Sequence, residues 1–183
     1  MSLLPTAATL GFEFTPTVNI AVTQLGVFDV DGDGLAESHD VGIWRASDMA
    51  LLASDTIAVG TGALLDPSGF RFTSLASSVQ LSAGTVYRIG ALYTTALDEL
   101  RGTTITVDSR IQITDVNNGV AGTPTVFHEG GVLSFPEAAG GFQRTNVNFA
   151  FTAVPEPSSV ALLLIGAVLV VGVHRRKMSR AAE

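Results

Sequence analysis

Hydrophobic and polar positions alternate with a period of two along the first part of the chain. From Ala8 to Thr15, Leu10, Phe12 and Phe14 share one face, and Thr9, Gly11 and Glu13 share the other. That is the pattern of a half-buried strand. Val18 to Asp29 continues it with Ile20, Val22, Leu25 and Val27. The phase slips inside this run, which predicts a bulge near Thr23-Gln24. Strand patterns follow at Asp40 to Arg45, at Met49 to Val59 as a broken strand, and at Gly69 to Leu75, Val79 to Leu81 and Thr85 to Tyr93. The remaining ones are Thr103 to Val107, Arg110 to Thr114, Thr125 to His128, Val132 to Phe135 and Thr145 to Ala153. Only Thr95 to Arg101 reads as helix, a turn or two long. Gly, Pro, Asn, Asp and Ser separate the runs, and nineteen glycines suit that many turns. Short strands at roughly ten-residue spacing predict an all-β fold, an antiparallel β-sandwich that is jelly-roll-like.

The alternation stops at Val154. Val154-Pro155-Glu156-Pro157-Ser158-Ser159 is followed by an unbroken apolar run from Val160 to Val173. His174-Arg175-Arg176-Lys177 comes next, with Arg180 behind it. No charge falls between Glu156 and Arg175. A run apolar on all sides is not an amphipathic surface helix, and it lacks the polar face and caps of a buried one. It predicts a single C-terminal transmembrane helix over 158–173. Those 16 residues make roughly 24 Å of helix, short of a hydrocarbon core about 30 Å thick. Snorkelling by Arg175, Arg176 and Lys177 extends the usable length at one end. Pro155 and Pro157 place the helix start after them. The basic cluster puts residues 174–183 on the cytoplasmic side and the body on the other. The expected domains are thus 1–153, extracytoplasmic, and 154–183.

Charge sharpens that picture. The whole chain carries a net charge of -7. The body alone has six basic and fifteen acidic residues, a net of -9, and no lysine. An acidic body argues against a nucleic-acid partner and against docking on anionic lipid. There is no cysteine, so disulfides and thiolate metal sites are excluded. Export needs an entry signal, yet Met1 to Ala8 has no basic n-region and no long apolar core. The expectation is that a signal peptide was trimmed or that the start was assigned too late.

The three-part tail resembles the PEP-CTERM sorting signal of Gram-negative bacteria. Val154, Pro155, Glu156, Pro157 and Ser158 match its motif, and Arg175, Arg176 and Lys177 match its basic stop. The resemblance implies recognition and cutting near Pro-Glu-Pro by an exosortase, an integral membrane enzyme. It also implies an inner-membrane intermediate, then a cell-surface or extracellular product in bacteria that make extracellular polysaccharide.

A second resemblance follows the strand order of Gly11-Phe12-Glu13-Phe14, Leu25-Gly26-Val27-Phe28, Val41-Gly42-Ile43-Trp44, Leu51-Leu52-Ala53-Ser54, Gly69-Phe70-Arg71-Phe72 and Leu81 to Tyr87. Together, over about Ala8 to Tyr93, these look like a bacterial extracellular domain of unknown function, which brings no activity with it.

Candidate chemistry concentrates between Asp29 and Asp40. The pattern D-x-D-x-D-G places Asp29, Asp31 and Asp33 at calcium-loop positions 1, 3 and 5. The Leu35 carbonyl falls at 7, Glu37 at 9 and Asp40 at 12. Asp stands where an EF-hand has a bidentate Glu, and the flanks are β-patterned rather than helical. Calcium and an acidic hairpin loop shaped by two glycines are the two readings. Trp44, the only tryptophan, reads either as core or as a sugar-stacking platform, and Tyr87 and Tyr93 share that ambiguity. His39 and His128 have no partner in sequence, which favours surface or loop roles. No G-x-S-x-G anchors a hydrolase triad, and Gly60-Thr61-Gly62 lacks the setting of a phosphate loop. Asp98-Glu99 are adjacent acids pointing different ways, so a glycosidase pair is unsupported.

The expectation is therefore a non-enzymatic exported protein, structural or adhesive, acting at the surface or in the matrix. The alternatives are a carbohydrate-binding module of extracellular polysaccharide with calcium as structural ion, and an envelope glycoside hydrolase.

Overall fold

The structure, a computed structural model, describes residues 7–95, 97–98, 107–113, 125–139 and 146–155. The chain divides into two units, Met1–Ala153 and Val154–Glu183, and all the strands belong to the first. Every strand pairing is antiparallel, and no helix forms among the described residues. The predicted membrane helix lies outside them, as does most of Thr103 to Val107.

The larger sheet contains β1 (Ala8–Pro16), β3 (His39–Arg45), β4 (Ala50–Ile57), β7 (Tyr87–Tyr93), β8 (Ile111–Ile113), β9 (Thr125–Glu129) and β10 (Ala138–Ala139). Its order is β10-β9-β1-β7-β3-β4. β1 holds β7 along one side; on the other, Ala8 to Phe12 pair with β9 and Phe14 to Pro16 with β8. The smaller sheet runs β11 (Val147–Ala153), β2 (Ile20–Phe28), β6 (Phe70–Leu81), β5 (Leu64–Leu65). The two sheets share one core. Leu10, Phe12, Phe14, Val41, Ile43 and Ile89 come from one side, and Ile20, Val22, Leu25, Val27, Leu81 and Phe149 from the other.

The bulge expected near Thr23-Gln24 is present. The register of β11 against β2 passes from Ala150↔Gln24 to Phe151↔Val22, leaving Thr23 unpaired. The Thr23 hydroxyl donates to the Ala150 carbonyl at 3.3 Å. Opposite it, β6 passes from Val79↔Val22 to Ser74↔Gln24. The pattern break near Ala76–Ser78 is thus an outward loop within one strand, not a gap between two. β4 runs from Ala50 to Ile57 as one strand with a bulge at Leu52, where the register against β3 passes from Ile43↔Ala53 to Trp44↔Leu51.

The outer face of the larger sheet accounts for two further differences. Gly11, Gly90 and Gly42 lie side by side on β1, β7 and β3. A Cβ at Gly42 would sit 2.6 Å from Trp44 Cη2, and one at Gly11 1.7 Å from the Ile89 carbonyl oxygen. The missing side chains let Trp44 lie down on the sheet. The segment from Val132 to Phe135, expected as a strand, instead crosses over this face together with Pro136. Phe135 meets Trp44 edge-on at 6.4 Å, and Arg88 lies 5.0 Å from the Phe135 ring centre. Arg88 also donates to the Pro136 carbonyl at 2.6 Å, and the Ser134 amide donates to the Thr9 hydroxyl at 3.1 Å. A chain that covers a face spends its polar groups on side chains, so it forms no ladder.

Gly42→Ala is expected to force the Trp44 ring out and cost about 1–3 kcal/mol. Because Trp44 is the sole tryptophan, a red shift of intrinsic emission reads the displacement directly. Unchanged emission would contradict this packing.

Candidate functional site

The connection from β2 to β3 carries the acidic pattern, and its local chemistry explains most of that pattern. The Asp29 carboxylate accepts from the Gly32 amide at 3.1 Å and the Gly34 amide at 3.0 Å. Both glycines take positive φ, 73° and 119°, which other residues adopt at a cost. Asp29 is 5% exposed and faces Arg71, 3% exposed, with Nε 2.6 Å from Oδ2. The same guanidinium donates to the carbonyls of Gly32 at 3.1 Å and Ala63 at 2.9 Å. Arg71 alternates with Phe70 and Phe72, and it is Arg71 that turns inward, beside Val27.

The six groups assigned to calcium do not share a centre. Position 1 faces the Arg71 guanidinium. The Leu35 carbonyl accepts from the Gly60 amide at 2.7 Å. Glu37 accepts from the Thr94 hydroxyl and the Thr95 amide. Asp40 lies on β3 and accepts from the Thr56 hydroxyl at 2.5 Å. Asp31 and Asp33 are exposed. The expected ring is dispersed because β3 begins inside the loop pattern, at His39, and strand geometry turns Asp40 away.

A different trio gathers. Ligand atoms of Glu37, His39 and Asp98 all lie within 4.8 Å of one another, the only such group among the described residues. His39 is fully buried, not a surface residue, because it shares the inward face of β3 with Val41 and Ile43. Its Nδ1 lies 2.9 Å from the Leu92 carbonyl and its Nε2 2.9 Å from Asp98 Oδ2. Asp98 also accepts from the Ala36 amide at 2.9 Å and the Glu37 amide at 3.0 Å. The ring of Tyr93 lies 4.5 Å from that of His39. Burial, then the charges of Asp98 and Glu37, push the Tyr93 hydroxyl far above its ordinary range. Thr94, Thr95, Leu97 and Asp98 form no helix, and the rest of that predicted turn is outside the described residues.

Trp44 is 3% exposed beneath Phe135, so its ring offers no face to a sugar. Tyr87 and Tyr93 are buried too. His128 is half-buried on β9, with Nδ1 2.8 Å from a Glu137 oxygen. Of the sorting motif, Val154 and Pro155 are described: both lie outside strand, and Pro155 is exposed, two residues after β11 ends. Glu156, Pro157, Ser158 and the basic residues Arg175, Arg176 and Lys177 are outside the described residues.

The profile of a domain of unknown function, DUF4082, matches residues 3–149. The chain belongs to the DUF4082 family. The PEP-CTERM protein-sorting motif matches residues 153–177, so the DUF4082 body is joined directly to a signal addressed to an exosortase. Comparison with curated proteins and with solved structures gave no match.

The sequence shows Asp98 only as one of two adjacent acids; its pairing with His39 is hidden because 59 residues separate them, and only the pairing of β3 with β7 closes that gap. The available signal was His39 itself: a polar side chain at an inward strand position requires a partner.

Arg71→Met in this DUF4082 domain takes the guanidinium away from a buried carboxylate and from the carbonyls of Gly32, Thr61 and Ala63. A loss of about 3–5 kcal/mol is expected, measured by urea unfolding followed through Trp44 emission. A loss below about 1 kcal/mol would show that the pair does not hold this end.

Proposed function

We propose that this protein is exported, held briefly in the inner membrane by residues 158–173, and released by an exosortase to a non-enzymatic, structural or adhesive role in the surface matrix. The observation that carries the reading is the abrupt junction at Ala153. The last strand ends there, and an exposed, unpaired Pro155 follows. A processing enzyme can therefore grip the motif without unfolding the body. The short apolar run suits a temporary anchor, and Arg175, Arg176 and Lys177 keep its far end cytoplasmic.

The body, read as a jelly-roll-like sandwich, suits the matrix role. Its acidic charge keeps it soluble and off anionic lipid. Extracellular polysaccharide is the proposed neighbour. The platform first expected for it, Trp44, lies under Phe135, so a stacking role for that residue is not part of the proposal.

Replacing Pro155 and Glu156 together by Ala should leave uncut precursor in the membrane fraction, with the extracellular form reduced at least about tenfold. Blotting of fractions against the body reads this out. Equal release of the variant and the parent would sink the exosortase step.

A further inference from the structure

We infer that Glu37, His39 and Asp98 form a site for a divalent first-row metal ion of the zinc class, at the end of the body where β3 starts and β7 stops. The inference is independent of the sorting reading.

His39 supplies the first reason. Both ring nitrogens face acceptors, the Leu92 carbonyl and the Asp98 carboxylate, each at 2.9 Å. A neutral imidazole has one donor nitrogen, so its second lone pair would meet a carboxylate lone pair. The geometry demands a cation between Nε2 and Asp98: a proton or a metal ion. Nδ1–H on a backbone carbonyl is the arrangement that fixes a metal-ligating histidine and presents Nε2 outward.

The second reason is spacing. Nitrogen and oxygen ligands about 2.1 Å from zinc stand roughly 3–3.4 Å apart. Nε2 and Asp98 Oδ2, 2.9 Å apart, need to part by only a few tenths of an ångström, and Glu37 is within 4.8 Å of both. The third is support behind the ligands. Asp98 is held by the amides of Ala36 and Glu37, and Glu37 by Thr94 and Thr95. Each loop supplies donors to the other loop's carboxylate, so both carboxylates are oriented yet keep free lone pairs. The Asp98 side chain is 13% exposed, which leaves an entry path for an ion. Three protein ligands leave a fourth position for water. One imidazole nitrogen beside two carboxylates favours zinc or manganese over calcium, which takes six to eight oxygens. On loading, the N–Zn bond replaces the N–H bond at Nε2 and that proton passes to solvent.

The test uses the full-length chain in detergent, stripped with chelator and titrated with zinc chloride, then separately with calcium chloride, by calorimetry. One zinc per chain is expected, with affinity falling at least about tenfold in Asp98→Asn and in Glu37→Gln, while His128→Gln stays within about twofold. Cobalt(II) should show visible absorption that Asp98→Asn abolishes. Trp44 emission checks that each variant is folded; should Asp98→Asn fail that check, the more peripheral Glu37→Gln carries the result. No stoichiometric zinc uptake, uptake indifferent to both carboxylate variants, or calcium bound in preference to zinc would each overturn the site.

Discussion

The buried guanidinium of Arg71 governs one end of this body. It pairs with Asp29 at 2.6 Å and takes up backbone carbonyls from both the β2–β3 and β4–β5 connections. A charge this deeply placed is tolerable only when paired and fully hydrogen-bonded. Here the pairing also shapes the chain. Asp29 folds over the amides of Gly32 and Gly34, and Leu35 can then bridge to Gly60. The loop is thereby spent before β3 begins, so His39 enters the sheet pointing inward. The trio with Glu37 and Asp98 is a consequence of that entry point.

The opposite face obeys a steric constraint. A row of glycines on β1, β7 and β3 removes the side chains that would hold a covering layer away from the sheet. Trp44 settles onto Gly42, Phe135 meets it edge-on, and Arg88 packs on the Phe135 ring and donates to the Pro136 carbonyl. The larger sheet is therefore dry on both faces near its middle, which is why Thr9 and Gly11 are buried along with Leu10 and Phe12. Segments on either side of 130 do different work: β9 extends the sheet, and the chain after it roofs the sheet.

The alternation in the sequence was enough for the strands, since one buried face writes a period of two into the residues. It located β1, β2, β3, β7 and β11 closely, and even the bulge at Thr23. It failed where burial was not one-sided. Ala76–Ser78 looked like a boundary because those residues loop outward within β6. Val132 to Phe135 looked like a strand because a roofing segment is apolar too. The acidic loop was visible, but its cation was not: nothing local marks Arg71 as the partner of Asp29 across 42 residues. The two-residue strands β5 and β10 are too short to leave a pattern at all.

Function divides along the same line as the fold. Within the DUF4082 body, structure accounts for Asp29 and Asp40 and for the glycines at 11, 32, 34, 42 and 90, whereas the Glu37, His39 and Asp98 trio asks for more. The sorting motif explains residues that the body does not need. What joins the two is the claim that the tail is an address, removed once read. The intact mass of the protein isolated from the culture medium tests that claim most directly. A mass lacking the apolar run and the basic residues beyond the motif is the predicted result; a mature chain still ending at Glu183 would contradict it.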